Sequence, residues 1–314
     1  MLSGCTFTYR TPGSEQLTAT VLKSQELPAI PSGSAIEIVR DTLHIVSDDA
    51  RYIYRCGQSD GALIDSIRLQ HLPGGERRIP KPLKPDYEAA VAAKVEGQDC
   101  LVAFGSGSLQ PQRDSALILT LNGSESQRVV SLAALYTAVR KTAEIALADF
   151  NIEAAAVYEN NLVLINRGSN HLFSMDWNNL LAHLLDGGAV PTLKVSKLSL
   201  AKKEGYPIGI SGACFLQAKQ LIFCASVEAT NDWVSDGAVL GSYFGVVSFD
   251  DENNARLKGL TQLVTESGEP IKDKVEGICS LGEKAGTLSV LGIVDNDDGS
   301  SRLLHIGVKN MPSP

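Results

Sequence analysis

Short apolar runs recur along the chain in pairs, and a few turn-forming residues join each pair. SAIEIV and TLHIVSD flank Arg40-Asp41. YEAAVAAKV and CLVAFGSG flank Glu96-Gly97-Gln98-Asp99. IEAAAVY and LVLINRG flank Glu159-Asn160-Asn161, and SGACFL and LIFCASV flank Gln217 to Gln220. VEGICSL and LSVLGIVD flank a loop containing Gly and Lys. Runs this short, bounded by turn residues, read as β-hairpins of mostly buried strands. A third run with better alternation follows each pair (RYIYRC, ALILTL, HLFSMDW, SYFGVVSF, RLLHIGV), as a half-exposed strand requires. A fourth follows in four units: ALIDSIRLQ, QRVVSLA, PTLKVSKLSL and ARLKGLTQLV.

The residues that open the first strands are Ser34, Glu88, Glu153, Ser211 and Glu276, spaced by 54, 65, 58 and 65 positions. A repeated four-stranded unit is the signature of a propeller blade. The expected fold is therefore all-β: one β-propeller domain over residues 1–314, with five four-stranded blades starting near 34, 88, 153, 211 and 276. Six blades is the alternative, if an insert hides a degenerate one. The fifth unit has no fourth strand after it. Residues 16–25 carry the matching pattern and are expected to close the last blade, hiding edges that an open sheet would expose. The extra length falls in two helical inserts. One runs from Leu135 to Asp149, with apolar spacing through Leu135, Val139 and Ile145. The other places Trp177, Leu180, Leu181, Leu184 and Leu185 on one face, with Asp176 as N-cap and Gly187-Gly188 as its stop.

Composition excludes whole classes. Hydrophobic residues make up 44%, too many for a disordered chain, and no apolar stretch is long enough for a membrane-spanning helix. The formal charge of −8 argues against a nucleic-acid binder. Six Cys occur without CxxC or zinc-ligand spacing, which fits buried free thiols in a reducing, cytoplasmic compartment. Leu2-Ser3-Gly4-Cys5 matches the tetrapeptide that precedes lipid attachment in bacterial lipoproteins, but no apolar stretch comes before it. A start further upstream would make a lipoprotein anchored through Cys5 the alternative.

First strands line a propeller's channel, so Glu88, Glu153 and Glu276 should gather at one mouth. Converging carboxylates repel unless a cation sits among them. Ca²⁺ is a candidate cofactor there, held by Glu88, Glu153, Glu276 and Asp295, because it takes six to eight oxygen ligands. Lys84, Lys274 and Arg167 are alternative neutralisers. Second strands run antiparallel to the first, so their ends should join the same mouth. Those ends carry Ser47-Asp48-Asp49, Gly105-Ser106-Gly107-Ser108, Asn166-Arg167-Gly168, Val227-Glu228 and Asp295 to Gly299. Ser106 and Ser108 offer hydroxyls and free amides for an anion. Arg113 and Arg167 have the fork geometry to clamp a carboxylate or phosphate. Asn166, Lys274, Trp233 and Asp236 complete the ligand-binding set, the last two in a loop longer than a hairpin needs. No GxSxG elbow appears, and no Ser-His-Asp set can be assembled from the spacing.

Lys274-Val275-Glu276-Gly277-Ile278, Phe104 to Ser108 followed by Arg113, Asn151-Ile152-Glu153 with Asn166-Arg167-Gly168, and Asp236-Gly237 with Gly241-Ser242 together resemble a bacterial propeller family of unknown function. The Glu-Gly start followed by an Asp-ended second strand is also similar to phytase-like esterase and gluconolactonase-like propellers. That resemblance implies Ca²⁺ binding and hydrolysis of esters, lactones or phosphoesters. Glu88 and Glu153 are followed by Ala, and Ser211 replaces a Glu, so the pattern is incomplete. Three functions follow as expectations. The first is binding of a small polar or anionic ligand at the channel mouth. The second is Ca²⁺-dependent hydrolysis, with Glu88, Glu153, Glu276 or Glu228 as catalytic carboxylates. The third is a protein-interaction scaffold.

Overall fold

The computed structural model describes residues 16–123, 125–230 and 237–314. After β1 (Thr18–Leu27), the chain builds a four-stranded antiparallel sheet from β2 (Gly33–Val39), β3 (Thr42–Ser47), β4 (Tyr52–Gly57) and β5 (Leu63–Arg68). The second sheet is β6 (Tyr87–Val95), β7 (Gln98–Gly105), β8 (Ser115–Thr120) and β9 (Gln127–Ser131). Helix α1 (Ala133–Ala143) leads into the third: β10 (Ile152–Tyr158), β11 (Asn161–Asn166), β12 (His171–Asp176) and, after α2 (Trp177–Asp186), β13 (Lys194–Lys197). A two-residue hairpin, β14 (Lys202–Lys203) and β15 (Tyr206–Pro207), precedes β16 (Gly209–Gln217), β17 (Gln220–Glu228), β18 (Val239–Phe249) and β19 (Ala255–Thr265). The last strands are β20 (Lys274–Lys284), β21 (Thr287–Asp295) and β22 (Ser301–Lys309).

β1 pairs antiparallel with β22 through nine residue pairs and parallel with β19 through three. It thereby joins β16–β19 and β20–β22 into one eight-stranded sheet. The first strands touch in the cyclic order β2, β6, β10, β16, β20 and back to β2. Apolar side chains fill a separate core between each sheet and the next; Val46, Ile53, Leu101 and Leu117 pack between the first two sheets, and Ile36, Ile45, Leu291 and Leu303 between the last strands and the first sheet. This all-β arrangement of successive sheets around a central channel is consistent with a propeller.

The inserts obey local rules. Asp176 caps α2 by accepting from the Asn179 amide at 2.8 Å, and Gly187 ends it with φ of 70°. The first insert is shorter than its apolar spacing suggests. α1 stops at Glu144, whose φ is 54°, and a 3₁₀ turn at Leu147–Asp149 completes the stretch.

Each first strand carries a β-bulge, and the bulged residues are Ser34, Glu88, Glu153, Ser211 and Glu276. An extra residue bends the strand and turns its own side chain away from the regular alternation. Two of the carbonyls beside the bulges are caught by the neighbouring serine. Ser34 Oγ donates to Tyr87 O at 2.6 Å, and Ser211 Oγ donates to Val275 O at 2.6 Å. The first strands therefore approach closely. A Cβ on Gly212 would lie 2.6 Å from Gly277 Cα and 2.8 Å from Glu276 O. The backbone of β20 cannot yield cheaply, so Gly212→Ala should destabilise by roughly 1–3 kcal/mol, read as a lower midpoint in urea unfolding with an unchanged slope.

Candidate functional site

At the end of the channel where the bulges lie, a cavity of about 480 Å³ opens. Glu88, Glu153 and Glu276 line it from the first strands, and Asp48, Arg167, Glu228 and Asp295 from the second-strand ends. Both layers meet at one mouth because adjacent strands are antiparallel. The wall holds nine acidic and six basic side chains, so it is crowded with charge and acidic on balance.

The charges sort into two clusters. Arg167 is the centre of the first, with only 7% of its side chain exposed. Its Nη1 meets Glu153 Oε2 at 2.6 Å and lies 3.8 Å from Glu276 Oε2, while Nη2 bonds Glu228 and donates to Ser226 Oγ at 2.9 Å. Lys274 Nζ sits 2.7 Å from Glu276 Oε1 and 3.7 Å from Glu228 Oε1. Asn151 Nδ2 donates to the other Glu153 oxygen at 2.6 Å. Burial nevertheless pushes Glu153 up to about 7, with Arg167 opposing and Glu276 adding to the shift. Glu228 moves the other way: burial opposes ionisation, but Arg167 and Lys274 outweigh it.

Asp86 organises the second cluster from a left-handed backbone position, φ 57°. It bonds Lys84 Nζ at 2.6 Å, Arg113 Nη1 at 2.7 Å and the Ser106 hydroxyl, and Ser108 Oγ lies at 3.4 Å. Lys84 also pairs with Asp48, and Arg78 Nε with Asp49 at 2.7 Å. Burial disfavours the Lys84 ammonium, yet Asp48, Glu88 and Asp86 hold its pKa above the usual value. Among the described residues Glu88 has no cation in ion-pair range. Burial, then the Asp86 and Asp48 charges, raise its pKa well above the usual carboxylate value. Asp48 rises to about 6 and Asp295 to about 7, burial being the largest cause in each.

The Gly105 to Ser108 loop and Arg113 do form an anion cradle, but the anion in it is the chain's own Asp86 carboxylate. The loop is braced by α1: Tyr136 Oη donates to Gly105 O at 2.5 Å, and the Tyr136 and Phe150 rings pack edge to face at 5.1 Å. Gly107 is required here, with φ of 73° and a Cβ position 2.5 Å from Phe150. Arg167 is likewise occupied by carboxylates. Ser108, Arg113 and Lys274 line the cavity; Ser106 and Asn166 do not. Both are fully buried: Ser106 holds Asp86, and Asn166 accepts from the Asn151 amide at 2.7 Å and donates to Asp149 O at 3.1 Å. The Asp295 to Gly299 segment is an Asx turn, with Asp297 N donating to Asp295 Oδ1 at 2.9 Å. Trp233, Asp236 and Cys5 lie outside the described residues.

Asp86 and Arg78 escape sequence reasoning, and Asn151 enters it only within the Asn151-Ile152-Glu153 run, with no site role. Asp86 and Arg78 sit in the long connection between β5 and β6, where no periodicity assigns a direction. The Lys-Pro-Asp sequence at 84–86, placing opposite charges beside a strand start, is the one available signal.

With this geometry in place, comparison with known proteins decides the family. Residues 29–308 match the model of a family of unknown function, DUF6929. The chain belongs to that family. No curated protein matches it. Among solved structures it is similar to Myxococcus xanthus glutaminyl cyclase, at 9% identity and a TM-score of 0.48, covering 94% of this chain and 98% of that one. It is also similar to the major Malassezia sympodialis allergen Mala s 1, at 10% identity and a TM-score of 0.47, covering 90% and 95%. No helix of the DUF6929 chain is long and apolar enough to cross a membrane.

Arg167 is the test of the first cluster. Arg167→Gln would leave Glu153, Glu228 and Glu276 buried with only Lys274 opposite them, at a cost of roughly 3–5 kcal/mol at pH 8. Glu153 takes up a proton on folding, so its contribution to stability is full below the usual Glu range and is lost as pH rises through about 7. The penalty of Arg167→Gln should therefore shrink between pH 8 and pH 5.5, measured by urea unfolding at both.

Proposed function

We propose that the chain is a single five-bladed propeller that binds a small polyhydroxylated or amine-bearing ligand at its acidic mouth. The observation that carries this is the occupied state of its cations: Arg113 and Arg167 are each held by buried carboxylates, so neither is free to clamp an anion. Of the acids that face the cavity, Asp86 and Glu228 are held ionised by their cations, while Asp48, Glu88, Glu153 and Asp295 have raised pKa values. Near neutral pH such acids are mixed donors and acceptors, which suits hydroxyl groups, since each hydroxyl also donates and accepts. The volume of about 480 Å³ falls in the usual range for small-molecule sites. This narrows the polar-or-anionic expectation to its polar half.

A second reading, Ca²⁺-dependent hydrolysis, draws support from Asp48, Asp86 and Glu88, which bring three carboxylate oxygens within 4.8 Å of one another. This set shares only Glu88 with the expected ligands Glu88, Glu153, Glu276 and Asp295. The Lys84 ammonium already neutralises Asp48 and Asp86 and would have to swing away. Three carboxylates also fall short of the six to eight oxygens Ca²⁺ takes.

Calorimetric titration separates the two. Glucosamine should bind at least tenfold more tightly than gluconate or glucose phosphate, and Glu228→Gln should weaken it. Preference for the anions would overturn the first reading. Ca²⁺ alone binding at micromolar concentration, and lost in Asp48→Asn, would favour the second.

A further inference from the structure

The channel has a second end. Below the bulges it narrows to a throat of about 10 Å³, lined by small residues such as Ala90, Ala155 and Gly277 and also by Glu37, Glu88, Glu153 and Glu276, with room for about one water molecule. Beyond the throat lies a separate pocket of about 170 Å³. All five first strands contribute to it: Glu37 and Ile38, Ala92, Ala156 and Val157, Cys214 and Phe215, and Cys279 and Ser280.

The side chains of the wall are carbon and sulfur except for the Ser280 hydroxyl and one carboxyl, that of Glu37, while about half of the lining surface is polar. No permanent cation faces Glu37 from the strands around it: β3 places His44 opposite it in register, and burial lowers the pKa of that imidazole. β6 offers the Ala92 amide, β16 and β20 offer the Cys214 and Cys279 thiols, and β10 offers only aliphatic groups. Burial pushes Glu37 up to about 8, only partly offset by the Ala92 N–H. Glu37 is half-buried with a backbone amide but no counter-charge opposite it, and such a carboxylate favours a ligand that brings the missing positive charge.

The pocket selects the kind of cation. A hard metal ion would have to exchange its water for one carboxylate and apolar walls, which cannot supply its oxygen shell. A soft metal ion would need thiolates, but burial, with Glu37 adding to it, holds both thiols protonated. The only three-ligand cluster among the described residues is at the other mouth. In volume the pocket is close to a cavity of roughly 150 Å³, which accepts a benzene-sized body. Phe215 adds an aromatic face to the wall.

We infer that this second pocket is a binding site for a small primary ammonium ion with an apolar body, with Glu37 as its counter-charge and Phe215 and the aliphatic wall around its carbon chain. The site is separate from the acidic mouth and differs from it in chemistry. It rewards a compact hydrocarbon, whereas the mouth presents mostly polar groups.

Calorimetric titration of the full chain with n-butylammonium, n-butanol and butyrate tests the assignment. The ammonium should bind at least tenfold more tightly than the alcohol, and butyrate more weakly still. Its affinity should rise at least tenfold from pH 6.5 to pH 9, as Glu37 ionises. Glu37→Gln should abolish the preference and the pH dependence, and Ala92→Leu, which fills the pocket, should remove binding altogether. Glu228→Gln at the opposite mouth should leave it unchanged. Equal binding of butanol and butylammonium, binding unaffected by Glu37→Gln, or loss of binding in Glu228→Gln would each overturn the proposal. A failure here leaves glucosamine binding at the mouth a separate question, because the two probes and the two Glu variants report on opposite ends of the channel.

Discussion

The acidic mouth depends on one backbone device, the extra residue inserted at the same point of each first strand. In a regular strand alternate side chains point to opposite faces. The bulge breaks that rule near the start of each strand and turns the inserted residue toward the channel end. Where that residue is Glu, the mouth gains a carboxylate; where it is Ser, the hydroxyl binds the carbonyl just before the next strand's Glu. The serines fix the backbone from which Glu88 and Glu276 project. Three acids and two serines are thus one motif with two roles.

Gathering carboxylates in this way creates a repulsion that the chain resolves internally. Arg167 and Lys274 serve one side of the mouth, and Lys84 and Arg113 the other. Breaking such buried pairs is costly, although a well-packed apolar replacement is often no less stable. Their presence is therefore better explained by what the mouth does than by stability. Compensation is incomplete. Glu88, Glu153, Asp48 and Asp295 all hold protons to higher pH than free acids do. Any ligand that brings positive charge would displace protons from them, which links binding to pH.

Much of this was readable from the chain. Repeated apolar pairs located the first two strands of each sheet, and the residues opening the first strands, from Ser34 to Glu276, are the bulged ones. The segment expected to supply an outer strand, residues 16–25, overlaps β1, which pairs with β22. These features leave a mark because burial of alternate residues imposes a period. The pairing of charges leaves none. Ser106 and Arg113 look like an anion site in sequence, and only the fold reveals that Asp86, some twenty residues earlier, occupies it. Asn166 looks like a ligand contact for the same reason, since polar residues at strand ends serve backbone amides as readily as they serve ligands. Glu37 fell within an apolar strand run and carried no sign that it would stand alone at the far end of the channel.

The central claim is that the mouth is a self-compensated cluster in which Glu153, Asp295 and Asp48 titrate near neutrality while Glu228 stays ionised. Carboxyl ¹³C NMR across pH 3 to 9 tests it most directly. Glu153 and Asp295 should titrate near pH 7 and Asp48 near pH 6, while Glu228 stays ionised below the usual Glu range. If all four titrated between about pH 3.5 and 4.5, as exposed carboxyls do, the mouth would be an ordinary solvated surface and the account would be contradicted.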